Sequence, residues 1–416
     1  MDTDELNQLI RSLNQGAQGA ASDRRETAAP ELELVRPEEP SPDLELTPKL
    51  PPAGEDEMPP RLVALLSETV RRGATDLLLV PGASPVVRVN GSLEKAGGGD
   101  AVSAQTAFDL LSPLLSGDRR RRYHETGVVD LSLRLAGLGR FRVNLHRTRR
   151  GVAAALRVLP ERVPSLSELG LPEMLYDLTK AARGLILVTG ATGSGKTTTL
   201  AALVDRMNRT EKRHIVTIED PVEYEHTHAR SLVEQVEVGV DVPSFAQALV
   251  SALRQGPDVI LVGEMRDLET TRAAVTAAET GHLVLTTLHT NDVPQTMNRI
   301  LDIFPAEQQV QVKHQLSLAL SAIVCQQLVP KKDGSGRVVA VEVLVATDSI
   351  RAHIRRGSFH QIHTELTLGK RFGMVTMEDS LASLVQAGTI SEAEARLRAS
   401  HPDDLASRLA GGRAPG

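Results

Sequence analysis

The stretch that decides the fold reads Gly190-Ala191-Thr192-Gly193-Ser194-Gly195-Lys196-Thr197 and satisfies the phosphate-loop pattern G-x-x-x-x-G-K-[ST]. The apolar residues 185–188 precede it and predict a buried strand. Apolar residues then recur at the spacing of one helix face, at Leu200, Leu203, Val204 and Met207. A strand, a glycine-rich loop and a helix in this order predict a nucleotide-binding P-loop domain.

Each part of this loop has a physical role in holding a polyphosphate. Its glycines let consecutive backbone N–H groups turn towards the phosphates, and the helix amino terminus adds a positive dipole end. We expect Lys196 to reach the β- and γ-phosphates of ATP and Thr197 to ligate Mg²⁺. The candidate nucleotide-binding residues are Gly190, Ala191, Thr192, Gly193, Ser194, Gly195, Lys196, Thr197 and Thr198.

Two further apolar segments end in acidic residues. Residues 214–218 lead into Glu219, and residues 258–263 lead into Glu264. In a parallel sheet the carboxyl ends of the strands lie along one edge, where ligands collect. ATP hydrolysis needs carboxylates that hold Mg²⁺ or orient water, so Glu219 and Glu264 are candidates for both tasks. An ordinary solvated loop position is the alternative for each of them.

Histidines bracket a third apolar segment, residues 283–288. His289 follows the segment, so we expect it at the same sheet edge, close to a γ-phosphate or a Mg²⁺-bound water. His282 precedes the segment. A packing or surface role is an equally good interpretation of either histidine taken alone.

The residues before the P-loop domain predict a compact α+β domain. Helix or strand patterns occur at residues 61–72, 76–80, 86–89, 131–135 and 140–145. In the last of these segments polar and apolar residues alternate strictly, which places Arg140, Arg142 and Asn144 together on one polar face.

The composition at the two ends and between the domains predicts the remaining organisation. Residues 15–60 are rich in Pro, Glu, Ser and Ala and predict a disordered segment, whereas residues 4–14 fit either a short amphipathic helix or a frayed terminus. Helix-capping pairs near the other end, such as Thr376 with Asp379, predict terminal helices. The expected domains are 1–57 (extension), 58–160 (α+β), 165–345 (P-loop α/β) and 346–410 (helical).

Charge and composition argue against several classes of protein. The net charge is −6, so the chain does not have the strong positive field that nonspecific nucleic-acid binding requires. Aromatic residues make up 2% of the chain, which argues against platforms for base stacking. Cys325 is the single cysteine, which argues against a multi-cysteine metal site and fits a reducing compartment. The sequence has no run long and apolar enough to predict a membrane span.

Four segments together resemble the secretion-type ATPases, and within them the PilT-type motors of pilus retraction. They are the Walker A segment, the Asp box, the Walker B region and the His box, at Gly190–Thr197, Thr217–Tyr224, Leu261–Glu269 and Thr280–Thr290. The resemblance implies a small PAS-like domain joined to a RecA-like ATPase domain, assembled as a homohexamer with nucleotide between neighbours. It further implies a cytoplasmic motor, peripheral at the inner face of the cell membrane, that contacts an inner-membrane pilus platform protein.

The same resemblance assigns roles to individual residues. By matching position, Glu219 and Glu264 act in water activation and Mg²⁺ coordination, and His282 and His289 lie near the phosphates. Three arginines match positions that face the nucleotide: Arg140, Arg142 and Arg157.

Alternatives within and outside this superfamily remain at this point. Residues 349–356 resemble the terminal motif of retraction motors, but Arg356 reverses a charge, which leaves the principal motor and its PilU-type paralogue both open. Pilus-assembly and type II secretion ATPases carry a tetracysteine zinc insertion, which a single cysteine does not supply. A RecA-like DNA translocase and a non-hydrolysing nucleotide switch are further alternatives, and the acidic pair favours turnover over the switch.

Overall fold

A computed structural model of the protein describes residues 58–89 and 91–411. The predicted amino-terminal extension and its candidate helix at residues 4–14 lie outside the described residues. The described elements form two sheets with their helices, and both sheets belong to one compact unit.

The first sheet is antiparallel and contains six strands in the order β3-β2-β1-β6-β5-β4. Its strands are β1 (Asp76–Leu79), β2 (Val86–Val89), β3 (Ser92–Lys95), β4 (Val128–Leu135), β5 (Gly139–Thr148) and β6 (Gly151–Leu159). The helices of this region are α1 (Pro60–Arg71), α2 (Ala104–Leu111) and α3 (Gly117–Thr126). All five helix and strand segments predicted before the P-loop domain are present, with bounds that differ by a few residues.

Alternation of side chains decides which face of this sheet is buried. Along β4, Leu131, Leu133 and Leu135 are buried and the intervening residues are less so. Phe141 and Val143 on β5 join the same apolar cluster. Polar residues of β5 therefore lie on the opposite face, as the sequence predicted.

The second sheet contains seven strands in the order β13-β12-β7-β11-β10-β8-β9. Its strands are β7 (Gly184–Thr189), β8 (His214–Glu219), β9 (Leu232–Glu237), β10 (Val259–Val262), β11 (Leu283–Leu288), β12 (Leu320–Pro330) and β13 (Arg337–Val345). All neighbouring pairs are parallel except β12 and β13, which are antiparallel. This arrangement confirms the predicted α/β class.

Helices of the P-loop region and of the carboxyl-terminal region follow these strands. They are α4 (Met174–Leu178), α5 (Lys196–Thr210), α6 (Phe245–Ala252), α7 (Leu268–Glu279), α8 (Val293–Asp302), α9 (Gln309–Ala319), α10 (Asp348–Arg356), α11 (Ile362–Leu368), α12 (Met377–Gln386), α13 (Glu392–Arg398) and α14 (Pro402–Gly411). Among the described residues, no helix has both the length and the apolar character that a membrane crossing requires.

Burial on both faces explains why the central strands are apolar throughout. Every residue of β7 is buried, and its side chains divide between two apolar clusters. Leu185 and Leu187 belong to one cluster, whereas Ile186 and Val188 belong to the other. A strand buried on both sides needs apolar residues at consecutive positions, which is the pattern typical of parallel α/β sheets.

Two of the carboxyl-terminal helices, α12 and α13, begin after residues whose side chains cap them, at Thr376 and Ser391. The side chain of Thr376 accepts a hydrogen bond from the Asp379 N–H, and Ser391 accepts one from the Glu394 N–H. These caps satisfy amide groups that have no partner within the first turn of a helix.

Candidate active site

The P-loop joins the end of β7 to the start of α5. Gly190 has a φ of +143°, and a Cβ atom there would lie 2.3 Å from the backbone oxygen of Gln326, so only glycine fits against β12. Gly195 has a φ of +90°, in the region that side chains rarely adopt. The loop therefore keeps the tight shape that turns its amides towards one cavity at the amino terminus of α5.

Lys196 is held inside the loop by its own backbone. Its Nζ donates to the carbonyl oxygens of Gly190 at 2.8 Å and Ala191 at 3.1 Å. Burial lowers the pKa of this ammonium group, and the nearby Glu264 carboxylate opposes that effect. The two carbonyl dipoles carry only partial negative charge. A polyphosphate in the cavity would give the Lys196 ammonium group a fully charged partner.

His289 links this lysine to the Walker B carboxylate. The His289 Nδ1 atom lies 3.4 Å from Lys196 Nζ, and its Nε2 atom lies 3.4 Å from Glu264 Oε2. Glu264 also pairs with Arg266, whose Nε is 2.7 Å from the same carboxylate oxygen. Lysine, histidine and glutamate thus form a row at the carboxyl edge of the sheet, as predicted for His289 and Glu264.

Glu219, at the end of β8, is the more deeply buried of the two predicted carboxylates. Burial raises its pKa to about 7, although Thr217 and Gln235 donate hydrogen bonds to its Oε1 atom at 2.7 Å and 3.2 Å. A carboxyl group whose pKa lies near neutrality is suited to accept a proton from water and to release it again.

Glu223 is a site residue that sequence reasoning passed over. It lines the cavity together with Thr197, the predicted Mg²⁺ ligand, and the Thr197 hydroxyl acts to lower the pKa of Glu223. Burial raises the pKa of Glu223, while Arg142 and Arg157 oppose that effect. The signal was its place in the acidic run that begins at Glu219, but only the path of the loop shows which acid turns inward.

The three predicted arginines separate into two groups. Arg142 and Arg157 line the cavity of their own chain, and Arg157 is held by Asp76, with 2.9 Å between Nε and Oδ1. Arg140 is buried elsewhere, and its guanidinium donates to the backbone carbonyls of Val222 at 2.8 Å and Glu223 at 3.3 Å. Arg140 therefore ties the first sheet to the Asp-box loop, outside the cavity.

Apart from Arg140, the ionisable side chains described above surround one cavity of about 710 Å³. This volume is within the range of small-molecule sites. Of the predicted nucleotide-binding residues, six line it: Thr192, Gly193, Gly195, Lys196, Thr197 and Thr198. Gly190, Ala191 and Ser194 complete the loop backbone around them. Tyr224, which was not predicted, donates to the Thr198 hydroxyl at 3.1 Å.

Comparison with known families supplies the decisive observation. Residues 120–408 match the family model described as type II/IV secretion system protein. The chain belongs to this secretion family. The match covers the second sheet, its helices and the last strands of the first sheet.

Relatives of this secretion-family chain include pilus ATPases. It is 42% identical to the type IV pilus retractation ATPase PilT of Pseudomonas aeruginosa over 83% of this chain and 99% of the relative. It is 40% identical to the type IV pilus ATPase PilU of the same species, over 82% and 89%. A crystal structure of the pilus retraction motor PilT with bound ADP matches with a TM-score of 0.77 and 43% identity, over 83% and 98%. The predicted PilT-type, RecA-like ATPase class is confirmed.

His282, like Arg140, is a predicted catalytic residue that this secretion-family fold does not bring to the cavity. It precedes β11, whereas His289 follows it, so the seven residue steps from His282 to His289 span about 23 Å of extended chain. The His282 ring lies 3.2 Å from the carbonyl oxygen of Ala277, at the opposite edge of the sheet. Within its own chain, His282 is thus placed to hold the end of α7 and not a phosphate.

Proposed function

We propose that this chain is an ATP-hydrolysing motor that powers type IV pilus retraction. One observation carries the proposal: the P-loop lysine, His289, Glu264, Glu219 and two arginines surround a single cavity. Similarity to a retraction ATPase and to an ADP-bound retraction motor over 83% of the chain supports the identity of the nucleotide and of the task.

The polar residues that line the cavity have different proposed roles in ATP hydrolysis. The P-loop amides and Lys196 bind the β- and γ-phosphates, and Arg142 and Arg157 neutralise negative charge on the transferring phosphoryl group. His289 contacts the γ-phosphate and so couples the presence of this phosphate to the position of the segment that leads into α8. Glu219 accepts the proton of the attacking water, because its pKa lies near 7 and its carboxyl group lines the cavity.

The residues present fit a magnesium ion that arrives with the nucleotide. Thr197, Glu219, Glu223 and Glu264 all line the cavity and carry the hard oxygen ligands that Mg²⁺ prefers. No cluster of three acidic, histidine or cysteine side chains within residues 58–89 and 91–411 forms a metal cage by itself. We therefore propose that Thr197, Glu219 and Glu264 supply only part of the coordination sphere, directly or through water. Bound Mg²⁺ would neutralise phosphate charge during transfer.

We further propose that the motor works as a homohexamer in the cytoplasm, at the inner face of the membrane, against a pilus platform protein. Residues 58–160 and 165–345 would then act as the PAS-like and ATPase domains, with residues 346–410 as the helical region. Arg142 and Arg157 line the cavity of their own chain, so the first sheet supplies two cations to the P-loop of the same chain.

The direct test is a chromosomal Glu264→Gln substitution in the piliated source cell, with Glu269→Gln as the control. Glu269 is an exposed acid on α7 and does not line the cavity, so it controls for loss of a carboxylate in the same region. We expect the Glu264 variant to bind ATP, to hydrolyse it about 10² times more slowly and to keep surface pili that no longer retract. Loss of surface pili would instead indicate an assembly motor, and unchanged retraction would indicate an accessory paralogue.

A further inference from the structure

Gln326 lies directly behind the phosphate loop. It is on β12, the neighbour of β7 in the sheet, and it is 1% exposed. Its Nε2 atom donates to the backbone carbonyl of Ser194 at 2.7 Å. Its Oε1 atom accepts a hydrogen bond from the Thr199 hydroxyl at 3.0 Å. One amide side chain thus connects the last turn of the loop with the first turn of α5.

The glycines of the loop are fitted to this residue. A Cβ atom at Gly190 would lie 2.3 Å from the Gln326 backbone oxygen, and one at Gly195 would lie 3.3 Å from its Nε2 atom. The loop therefore wraps closely over Gln326, with the cavity on its other side.

The hydrogen bond to Ser194 sets the direction of a peptide group. In a trans peptide the C=O and the following N–H point in opposite directions. Because Gln326 holds the Ser194 carbonyl on the inner side, the Gly195 N–H is turned towards the cavity that Gly195 lines. We propose that Gln326 is a positioning residue that presets the Gly195 amide as a donor to a nucleotide phosphate.

Glutamine suits this task because it carries a donor and an acceptor on one planar group. The Thr199 hydroxyl occupies the acceptor, so the amide NH₂ is the end that faces Ser194. Ionised glutamate has the same shape but lacks the donor, and methionine has similar length but neither group. Methionine therefore releases the Ser194 carbonyl at every pH, whereas glutamate releases it only when ionised.

The inference rests on the proposed nucleotide site and predicts a specific loss of nucleotide affinity. Backbone amides of a P-loop cradle the α- and β-phosphates, which ATP and ADP share. We expect Gln326→Met, and Gln326→Glu when the glutamate is ionised, to weaken ADP and ATP binding about tenfold or more, the usual effect of losing a hydrogen bond to a charged group. The effect should appear in KM, with kcat at saturating ATP changed less than about threefold, because the contact is made in both ground and transition states.

The test is competition of ADP against a fluorescent nucleotide on the full chain, together with steady-state ATPase kinetics. Gln327→Glu is the matched control, since Gln327 is the next residue on β12, half-buried and absent from the cavity lining. Thr199→Val removes the hydroxyl that donates to Gln326 Oε1 and leaves the Gln326 NH₂ donor in place. This variant should give a smaller loss of ADP affinity than Gln326→Met. Thermal unfolding without nucleotide verifies that each variant is folded.

The outcomes separate the two proposals. Tenfold weaker ADP binding in Gln326→Met, with Gln327→Glu within about twofold of wild type, supports the inference. Wild-type ADP affinity in Gln326→Met, or a fall in kcat with unchanged KM, overturns it. Failure of the wild-type chain itself to bind ADP would refute the proposed nucleotide site.

Discussion

The Glu342→Gln substitution should stabilise the protein progressively as pH rises from about 5 to 8. Glu342 lies on β13, 6% exposed, and its Oε1 accepts a hydrogen bond from the Val293 N–H at 3.2 Å. The backbone N–H of Met377 also acts to lower the pKa of Glu342, so this carboxyl group lies near the first residues of both α8 and α12. Burial is nevertheless dominant and, with the charges of Glu378 and Asp292, raises the pKa of Glu342 to about 7.

The magnitude follows from the difference between this pKa and the ordinary value of 4.5. Between these two values the folded chain keeps a proton that the unfolded chain has lost. Wild-type stability that is fully present below about pH 4.5 is therefore lost as pH rises to about 7. At about 1.4 kcal/mol per pH unit, the loss is about 3 kcal/mol in the free energy of unfolding. A neutral glutamine keeps the acceptor oxygen and does not titrate.

The measurement is urea unfolding followed by circular dichroism at pH 5, 6, 7 and 8, at one protein concentration and without nucleotide. Glu219 has a similarly raised pKa, so the informative quantity is the difference between variant and wild type at each pH. Glu269→Gln, at an exposed position, is the control for removal of a carboxylate. A pH-independent difference for Glu342→Gln would refute the reasoning that burial keeps the Glu342 carboxyl protonated.

The remaining predictions concern the cavity and its support. Lys196→Ala should nearly abolish binding of ATP and ADP in calorimetric titration, because the loop loses its cation; unchanged affinity would contradict the assigned site. Replacing Arg142 and Arg157 together by alanine should largely spare binding but lower turnover by about 10³ or more. Mixing these subunits with Lys196→Ala subunits should restore ATPase activity if neighbours share the arginines, whereas a flat zero at every mixing ratio would indicate a site within one chain. Arg140→Ala should lower the melting temperature and reduce turnover less than the double replacement, because its guanidinium bonds the backbone carbonyls of Val222 and Glu223 and the Glu225 carboxylate and does not line the cavity.

The sequence by itself determined the features that depend on neighbouring residues. The P-loop is contiguous with its strand and helix, so one stretch of 27 residues, Gly184–Thr210, specifies the phosphate site locally. Strands buried on both faces, and helix caps three residues apart, are also visible in the local pattern. The positions of Glu219, Glu264 and His289 could be inferred because carboxyl ends of parallel strands meet at one edge.

Only the tertiary structure decided which long-range neighbours complete the cavity. Gln326 supports Ser194 across 132 positions of sequence, and no local pattern distinguishes it from Gln327. Arg140 and Arg142 share one strand face, yet a displacement of two residues along β5 places one against backbone carbonyls and the other in the cavity. Periodicity records which side of an element faces apolar surroundings, but not which distant segment lies there. That choice is made when the two sheets pack, and it converts a local phosphate loop into a candidate catalytic site.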